Sequence, residues 1–257
     1  MIRFFTKPQN ISGNTIKLNR EDCEHIRSLR LRPDELFTVC DEYGNDYICK
    51  LAAAGNGKTH DSHGVAQIID KRDSQGEPSV KCTVYMAYSK GDRLDYAVQK
   101  SVELGAYDIV LFESRRCVAV PSNIPKKIER LQRISLETAK QAGRGIVPVV
   151  SDGGGFKDIL NAIKPEEPSL LSTTTFPILF YEDESQLHLK YVLEIDLFSE
   201  LNSYSLITGP EGGFDPSEIS LTKTKGFAIV SLGTRILRSE TAPVVALSAI
   251  MYHTGNL

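Results

Sequence analysis

Two glycine-rich turns, each between a short apolar run and an amphipathic segment, constrain this chain more than any other feature. The stretch reads L-I-T-G-P-E-G-G-F-D-P-S-E-I from Leu206, then K-G-F-A-I-V-S-L-G-T-R-I-L-R-S-E-T-A-P-V-V-A-L to Leu247. The runs Ser205–Thr208 and Phe227–Leu232 are short and apolar throughout, which predicts buried parallel strands. The first turn holds Gly209, Pro210, Glu211, Gly212 and Gly213. Such glycines let the backbone take a positive φ or lie flat against a ligand. The helix after it has a strong start: Asp215 as N-cap, Pro216 at the first position and Glu218 three residues after the cap. Gly226 ends it. The second turn, Gly233 to Arg238, runs into Ser239 and Glu240, which are predicted to open the last helix. Two strand–turn–helix units with their loops at one sheet edge form a ligand crevice. A single such turn is as readily a packing turn. A pair, with Arg235, Arg238 and Glu240 beside the second, points to a ligand.

The rest of the chain from Lys81 extends this pattern. Predicted strands at Cys82–Tyr88, Asp108–Phe112, Val147–Val150 and Pro177–Tyr181 precede the two above. Predicted helices cover Leu94–Leu104, Lys126–Ala142, Phe156–Ile163, Pro216–Lys225 and Glu240–Thr254. Short apolar strands alternating with helices give an α/β fold with a parallel sheet covered on both faces. In the long second helix, Ile128, Leu131, Ile134 and Ala142 mark the expected buried stripe.

Residues 1–72 read differently. Strands are expected at Arg3–Phe5, Thr15–Leu18, Leu36–Asp41, Asp46–Ala53 and Gly64–Lys71, with a hairpin turn at Tyr43–Asp46. One helix, Glu21–Leu31, is capped by Asn19. Short strands with one small helix suggest a compact β-barrel. The polar stretch 73–80 serves as linker, and 81–257 forms the second domain.

Composition sets limits. At 257 residues, with 41% hydrophobic and 25% charged, the chain is ordinary for a soluble protein of one large or two modest domains. No apolar run reaches the ~20 residues of a membrane helix, and the N-terminus lacks a signal-peptide layout. The five cysteines are scattered, without C-x-x-C spacing, so free thiols in a reducing cytoplasm are expected and no metal site. His60 and His63 are read as solvated. G-N-G-K-T at 55–59 lacks the earlier glycine of a phosphate loop and is rejected. The net charge of −3 conceals a division. Residues 81–145 carry 12 Lys and Arg against 7 Asp and Glu, and residues 151–203 carry 3 against 10. A basic stretch of that size permits phosphate tracking and equally suits solvated helices.

T-G-P-E-G-G-F followed by L-G-T-R-I-L-R-S-E-T-A resembles the signature of the RsmE family, SPOUT-class methyltransferases that use S-adenosylmethionine to methylate a uridine of 16S ribosomal RNA at ring N3. Three more stretches extend the likeness: K-G-D-R-L-D-Y-A-V-Q-K-S-V-E-L-G from Lys90, S-R-R-C from Ser114 and E-T-A-K-Q-A-G-R-G-I-V-P from Glu137. The last departs from the family pattern at Lys140, where an acid is usual, and at Ala142, where Ser is usual. The likeness is weak over 151–203, and Pro165–Thr175 resembles a family-variable loop. The resemblance implies a C-terminal SPOUT domain with a trefoil knot, a PUA-like N-terminal barrel, a homodimer, and 16S ribosomal RNA in the small subunit as partner, with no membrane.

The resemblance also implies roles. Thr208, Gly209, Pro210, Glu211, Gly212, Gly213, Leu232, Gly233, Ile236 and Leu237 would hold the cofactor, with Ile207 as a further apolar wall and Phe180 and Tyr181 closing a third side. Arg238 and Arg235 would stabilise an anionic uracil. Glu240 or solvent would take the imide proton, or Glu240 would serve only as a helix-start anion. Arg3, His25, Arg27, Arg30, Arg32, Arg115, Arg116, Gln141 and Arg144 would contact RNA. Two other classes stay open on the residues alone. One is a non-catalytic RNA-binding module. The other is a nucleotide-phosphate enzyme, disfavoured because the first turn has no Lys.

Overall fold

In the computed structural model, residues 2–32, 34–41, 43–53, 64–163, 175–195 and 201–257 are described. The G-N-G-K-T stretch, His60, His63 and all of the variable loop but Thr175 lie outside them. The chain divides into two compact units, one of Met1–Glu77 with Ala139–Val147, the other of Pro78–Thr138 with Pro148–Leu257.

The first unit is a six-stranded mixed sheet. Its strands are β1 (Arg3–Thr6), β2 (Ile11–Ser12), β3 (Thr15–Leu18), β4 (Phe37–Asp41), β5 (Asn45–Ala53) and β6 (Gly64–Asp73), in the order β1-β4-β5-β6-β3-β2. Only β1 and β4 run parallel; the other pairs are antiparallel. Gly44 turns the β4–β5 hairpin at φ 82°, and the buried Asp41 accepts from the backbone N–H groups of Tyr43 and Asn45. Helix α1 spans Arg20–Ser28, and the Asn19 side chain accepts from the Asp22 N–H at 2.7 Å. It stops three residues short of the expected Leu31. Arg30 takes the left-handed conformation, φ 53°, while the N–H groups of Arg30 and Leu31 return to the carbonyls of Arg27 and Ile26. Glycine is the usual residue there, because a Cβ costs about 1–2 kcal/mol. The core of this unit gathers Phe4, Ile16, Leu18, Ile26, Phe37 and Val39.

Ala139–Val147 belongs to this unit through Glu77. Its carboxylate accepts from Arg144 Nε and Nη2 at 2.9 and 2.7 Å and from the N–H groups of Gly145 and Ile146.

The second unit is an all-parallel sheet. Its strands are β7 (Lys81–Ala87), β8 (Asp108–Glu113), β9 (Val149–Gly155), β10 (Thr175–Phe180), β11 (Ser203–Thr208) and β12 (Ala228–Val230), in the order β12-β10-β11-β7-β8-β9. Helices α2 (Arg93–Glu103), α3 (Ile124–Ala142), α4 (Phe156–Ala162), α5 (Leu189–Leu193), α6 (Pro216–Thr224) and α7 (Ala242–His253) connect and flank them. In the central β11, Tyr204 to Thr208 are all buried, as expected of a strand covered on both faces. Phe112, Phe156 and Phe214 meet in the core, with ring centroids 5.8 and 5.4 Å apart.

Three expectations are corrected. The buried side of α3 runs through Leu131, Ser135, Thr138 and Ala139, whereas Ala142 is exposed and Ile128 and Ile134 are half-buried. Two buried hydroxyls belong to that stripe because Ser135 donates to the Pro148 carbonyl at 2.7 Å; hydrophobic periodicity does not reveal such positions. Helix α7 begins at Ala242, not Glu240, because the N–H groups of Thr241 and Ala242 first close a turn on the Arg238 carbonyl. The short helix α5 and strand β2 were not expected from sequence, being too short for a period to register.

Candidate active site

The strand order sets the place of the site. β11 lies between β7 and β10, and β12 lies beyond β10. The segments that leave the C-terminal ends of β10, β11 and β12 therefore converge on one edge of the sheet. They enclose a cavity of about 430 Å³, joined by the first residue of α2. That volume falls within the ~300–1,000 Å³ of small-molecule and cofactor sites. Its wall comprises Phe180, Tyr181 and Glu182 after β10; Gly209, Pro210, Glu211 and Gly213 after β11; and Leu232, Gly233, Arg235, Ile236, Leu237 and Arg238 after β12. Arg93, Ser231, Ser239 and Ala242 complete it.

The first turn is braced from below and from the side. Asp215 accepts from the Ser217 N–H at 3.0 Å, and the Glu218 carboxylate accepts from the Asp215 N–H at 2.9 Å, as the capping pattern predicts. Hydrogen bonds from the Ser217 hydroxyl and N–H hold the Asp215 carboxyl below its ordinary range. The same Glu218, buried, also accepts from the Ser114 hydroxyl and the Arg115 N–H, each at 3.0 Å. This bond ties S-R-R-C to the turn. A Cβ on Gly212 would meet the Arg116 carbonyl oxygen at 2.9 Å, so that glycine is needed for close packing. Gly213 has φ 68°, and a Cβ there would fall 1.8 Å from Glu182 Oε1.

Glu211 is the polar anchor of the turn. Its Oε1 accepts from the Lys90 N–H at 2.8 Å and from Arg93 Nη1 at 2.7 Å, while Oε2 is buried without a hydrogen-bond partner. Burial pushes its carboxyl up, but the hydrogen bonds and the Arg93 charge outweigh this and leave it below the ordinary range. Arg93 also approaches Glu240, Nε to Oε2 at 3.8 Å, and Glu240 in turn lies 3.9 Å from Arg238 Nη1. Arg93 thus bridges the acids of both turns.

The second turn is open. The Arg238 side chain is 80% exposed and Ile236 is 86% exposed. Arg235 is exposed as well. The structure brings Arg235 and Arg238 to the cavity wall and places Glu240 just behind it. Thr208 and Gly212 lie under the turn rather than on the wall; the Thr208 hydroxyl donates to the Tyr85 carbonyl. Ile207, expected as a wall, is instead fully buried in the core cluster. Tyr181 presents its ring to the cavity and donates its hydroxyl to Asp183 at 3.0 Å.

Arg93 and Glu182 are site residues that sequence reasoning missed. A signal existed for each: Arg93 closes the K-G-D-R element, and Glu182 directly follows Tyr181.

The expected RNA contacts separate into two groups. Arg27, Arg30, Arg32 and Gln141 are exposed, and His25 is half-buried with its ring edge-on to Phe4. Arg115 and Arg116 are partly exposed and reach Asp215 at 3.8 and 3.6 Å. Arg3 and Arg144 are held by acids. Arg3 makes a two-pronged ion pair with Asp46 at 2.6 and 2.8 Å, and Arg144 is buried against Glu77. Without Arg3 the buried Asp46 would lose its ion-pair partner, whereas Glu77 would keep its bonds from the Gly145 and Ile146 N–H groups.

Comparison with known proteins agrees with this architecture. Residues 76–251 match a family model described as an RNA methyltransferase domain. A protein of Synechocystis sp. named ribosomal RNA small subunit methyltransferase E is 33% identical over 253 residues, covering 96% of this chain and 76% of that one. Its Bacillus subtilis namesake is 29% identical over 270 residues, covering 100% and 98%. Among solved structures, ribosomal RNA small subunit methyltransferase E of Neisseria gonorrhoeae, bound to S-adenosylmethionine, is 30% identical with a TM-score of 0.81, covering 98% of this chain and 97% of that one. With its glycine-rich turns facing one cavity at the sheet edge, the chain belongs to the ribosomal RNA small subunit methyltransferase E family.

Proposed function

We propose that this protein transfers a methyl group from S-adenosylmethionine to ring N3 of a uridine in 16S ribosomal RNA. The observation that carries this reading is the cavity between the two turns, with exposed Arg235 and Arg238 on its wall. The residues fit the cofactor. Gly233, at φ 115°, has open space where a Cβ would project, and Leu232, Leu237, Phe180 and Tyr181 offer apolar walls for an adenosine. When bound, the cofactor supplies an electrophilic methyl on a sulfonium. The chain's part is to align donor and acceptor and to stabilise charge. Arg238 and Arg235 keep their protons and therefore favour the uracil anion, whose N3 proton passes to solvent or to Glu240. Glu240, between two guanidinium groups, suits the role of anchor for Arg238 better than that of base.

The finer architecture follows the same reading. The placement of β11 inside β10, with β12 beyond, supports a trefoil passage of the chain. Residues 1–72 act as a PUA-like RNA-holding domain with Arg27, Arg30, Arg32, His25 and Gln141 as contacts, 73–80 as linker and 81–257 as the SPOUT domain; Arg115 and Arg116 hold RNA beside the first turn. The left-handed Arg30 supports this, since a residue kept at an unfavourable φ is often kept for function. Val245 and Tyr252, exposed on α7, support a homodimer. Five free cysteines support the cytoplasm. The test is transfer of labelled methyl from S-adenosylmethionine to small ribosomal subunits that lack the modification, followed by nucleoside analysis. The expected product is 3-methyluridine. Another methylated nucleoside would replace the base assignment, and no transfer with no cofactor binding would leave an RNA-binding module as the better reading.

A further inference from the structure

Six carboxylates stand at or beside the cavity, and five have partners. Glu211 is held by Lys90 and Arg93, and Glu240 lies between Arg93 and Arg238. Asp183 accepts from the Tyr181 hydroxyl, Glu184 from the N–H groups of Gln186 and Leu187, and Asp215 from Ser217. Glu182 alone has neither hydrogen bond nor ion pair among the described residues. It is on the wall itself, with its Oε1 against the backbone of Gly213. Glu211, Glu240 and Asp215 have guanidinium groups to offset their charge, whereas Asp183 and Glu184 accept only from neutral donors and stand off the wall. Glu182 stands on the wall after β10 without a cationic partner among the described residues, while the exposed Arg235 and the Glu240-paired Arg238 stand on the wall after β12.

We propose that Glu182 is a charge-selecting residue of the cofactor site, attracting the sulfonium centre of S-adenosylmethionine and discriminating against the demethylated product, S-adenosylhomocysteine. The inference rests on the methyl-transfer reading above. The two molecules share adenine, ribose, ammonium and carboxylate groups and differ in one methyl and one positive charge on sulfur. A contact to any shared group would favour both alike. An unpaired carboxylate at the protein surface beside the cavity favours the charged one, because Coulomb attraction there exceeds that in bulk water several-fold. After transfer the sulfur is neutral and that attraction lapses, so Glu182 favours the substrate over the product. Gly213 is part of this device: only a residue without Cβ leaves room for the carboxylate over the turn.

The test is calorimetric binding of each of the two compounds to the full chain, in the wild type, Glu182→Gln and Glu182→Lys. Wild type is expected to prefer S-adenosylmethionine, Glu182→Gln to narrow the ratio of dissociation constants by about five- to tenfold, and Glu182→Lys to narrow it further or invert it. Both substitutions are at an exposed side chain, and unchanged melting of the free protein would establish that they fold. An unchanged ratio, or equal weakening of both compounds, would overturn the role of Glu182 while leaving the methyl-transfer reading intact. Failure of the wild type to bind either compound would overturn that reading and the role of Glu182 with it.

Discussion

In the turn after β11, Glu211 is gripped by Lys90 and Arg93, Gly212 lies against the Arg116 carbonyl, and Phe214 is buried beneath. In the turn after β12, Arg235, Ile236 and Arg238 stand in solvent, and Arg238 meets Glu240 only at 3.9 Å. Both turns open on a glycine and both follow a buried strand, yet one is finished and the other is open. The first presents its backbone to a ligand already ordered, so little entropy is lost there on binding. The second holds an apolar side chain that gains by being covered and two cations that gain by meeting an anion. Under the proposed function, the rigid half would fix the cofactor and the adaptable half would respond to the reacting group.

The comparison breaks most sharply at Arg238. Arg238→Ala is expected to lower the methyl-transfer rate about 10²–10³-fold, as loss of a charge-stabilising donor does. Because the side chain is largely exposed, the melting temperature of the free protein should stay unchanged. A comparable loss of cofactor affinity would assign Arg238 to binding instead. The converse case is Glu218, under the first turn. Glu218→Ala removes the acceptor for Ser114, Arg115 and Asp215 and should cost about 2–3 kcal/mol in urea unfolding. A loss below about 0.5 kcal/mol, within the range of ordinary surface substitutions, would mean that the first turn is not braced in this way. The smallest effect is at Ile236. Ile236→Ser should leave stability within about 0.5 kcal/mol of wild type and weaken cofactor binding about threefold to tenfold, by loss of apolar cover. Equal affinity for the two proteins would mean that the second turn stays open over the ligand.

The first turn was also the more legible of the two. Asp215, Pro216 and Glu218 specify the start of α6 through bonds within three residues, and such bonds are written in local sequence. The start of α7 was read two residues early, since the turn on the Arg238 carbonyl competes with the helix and no residue type announces it. The ion pairs of the cations were not legible. Arg3 and Arg144 look like Arg27 and Arg32 in sequence, but Asp46 and Glu77 face the first two across 43 and 67 residues.

By itself the sequence determined the alternation of strands and helices, the two turns, the cap that follows the first, and the residue types that could bind a nucleoside and oppose an anion. Each depends on hydrophobic period, backbone freedom or hydrogen bonds that span a few residues. Only the tertiary structure decided that β11 inserts between β7 and β10, since strand order is settled by which faces the helices cover and not by any one strand's composition. That order brings Arg93 to Glu211 across 118 residues and lays Glu182 over Gly213. These contacts fix which charges are offset and which remain free, and net charge at a site is a sum over neighbours that the chain acquires only when it folds.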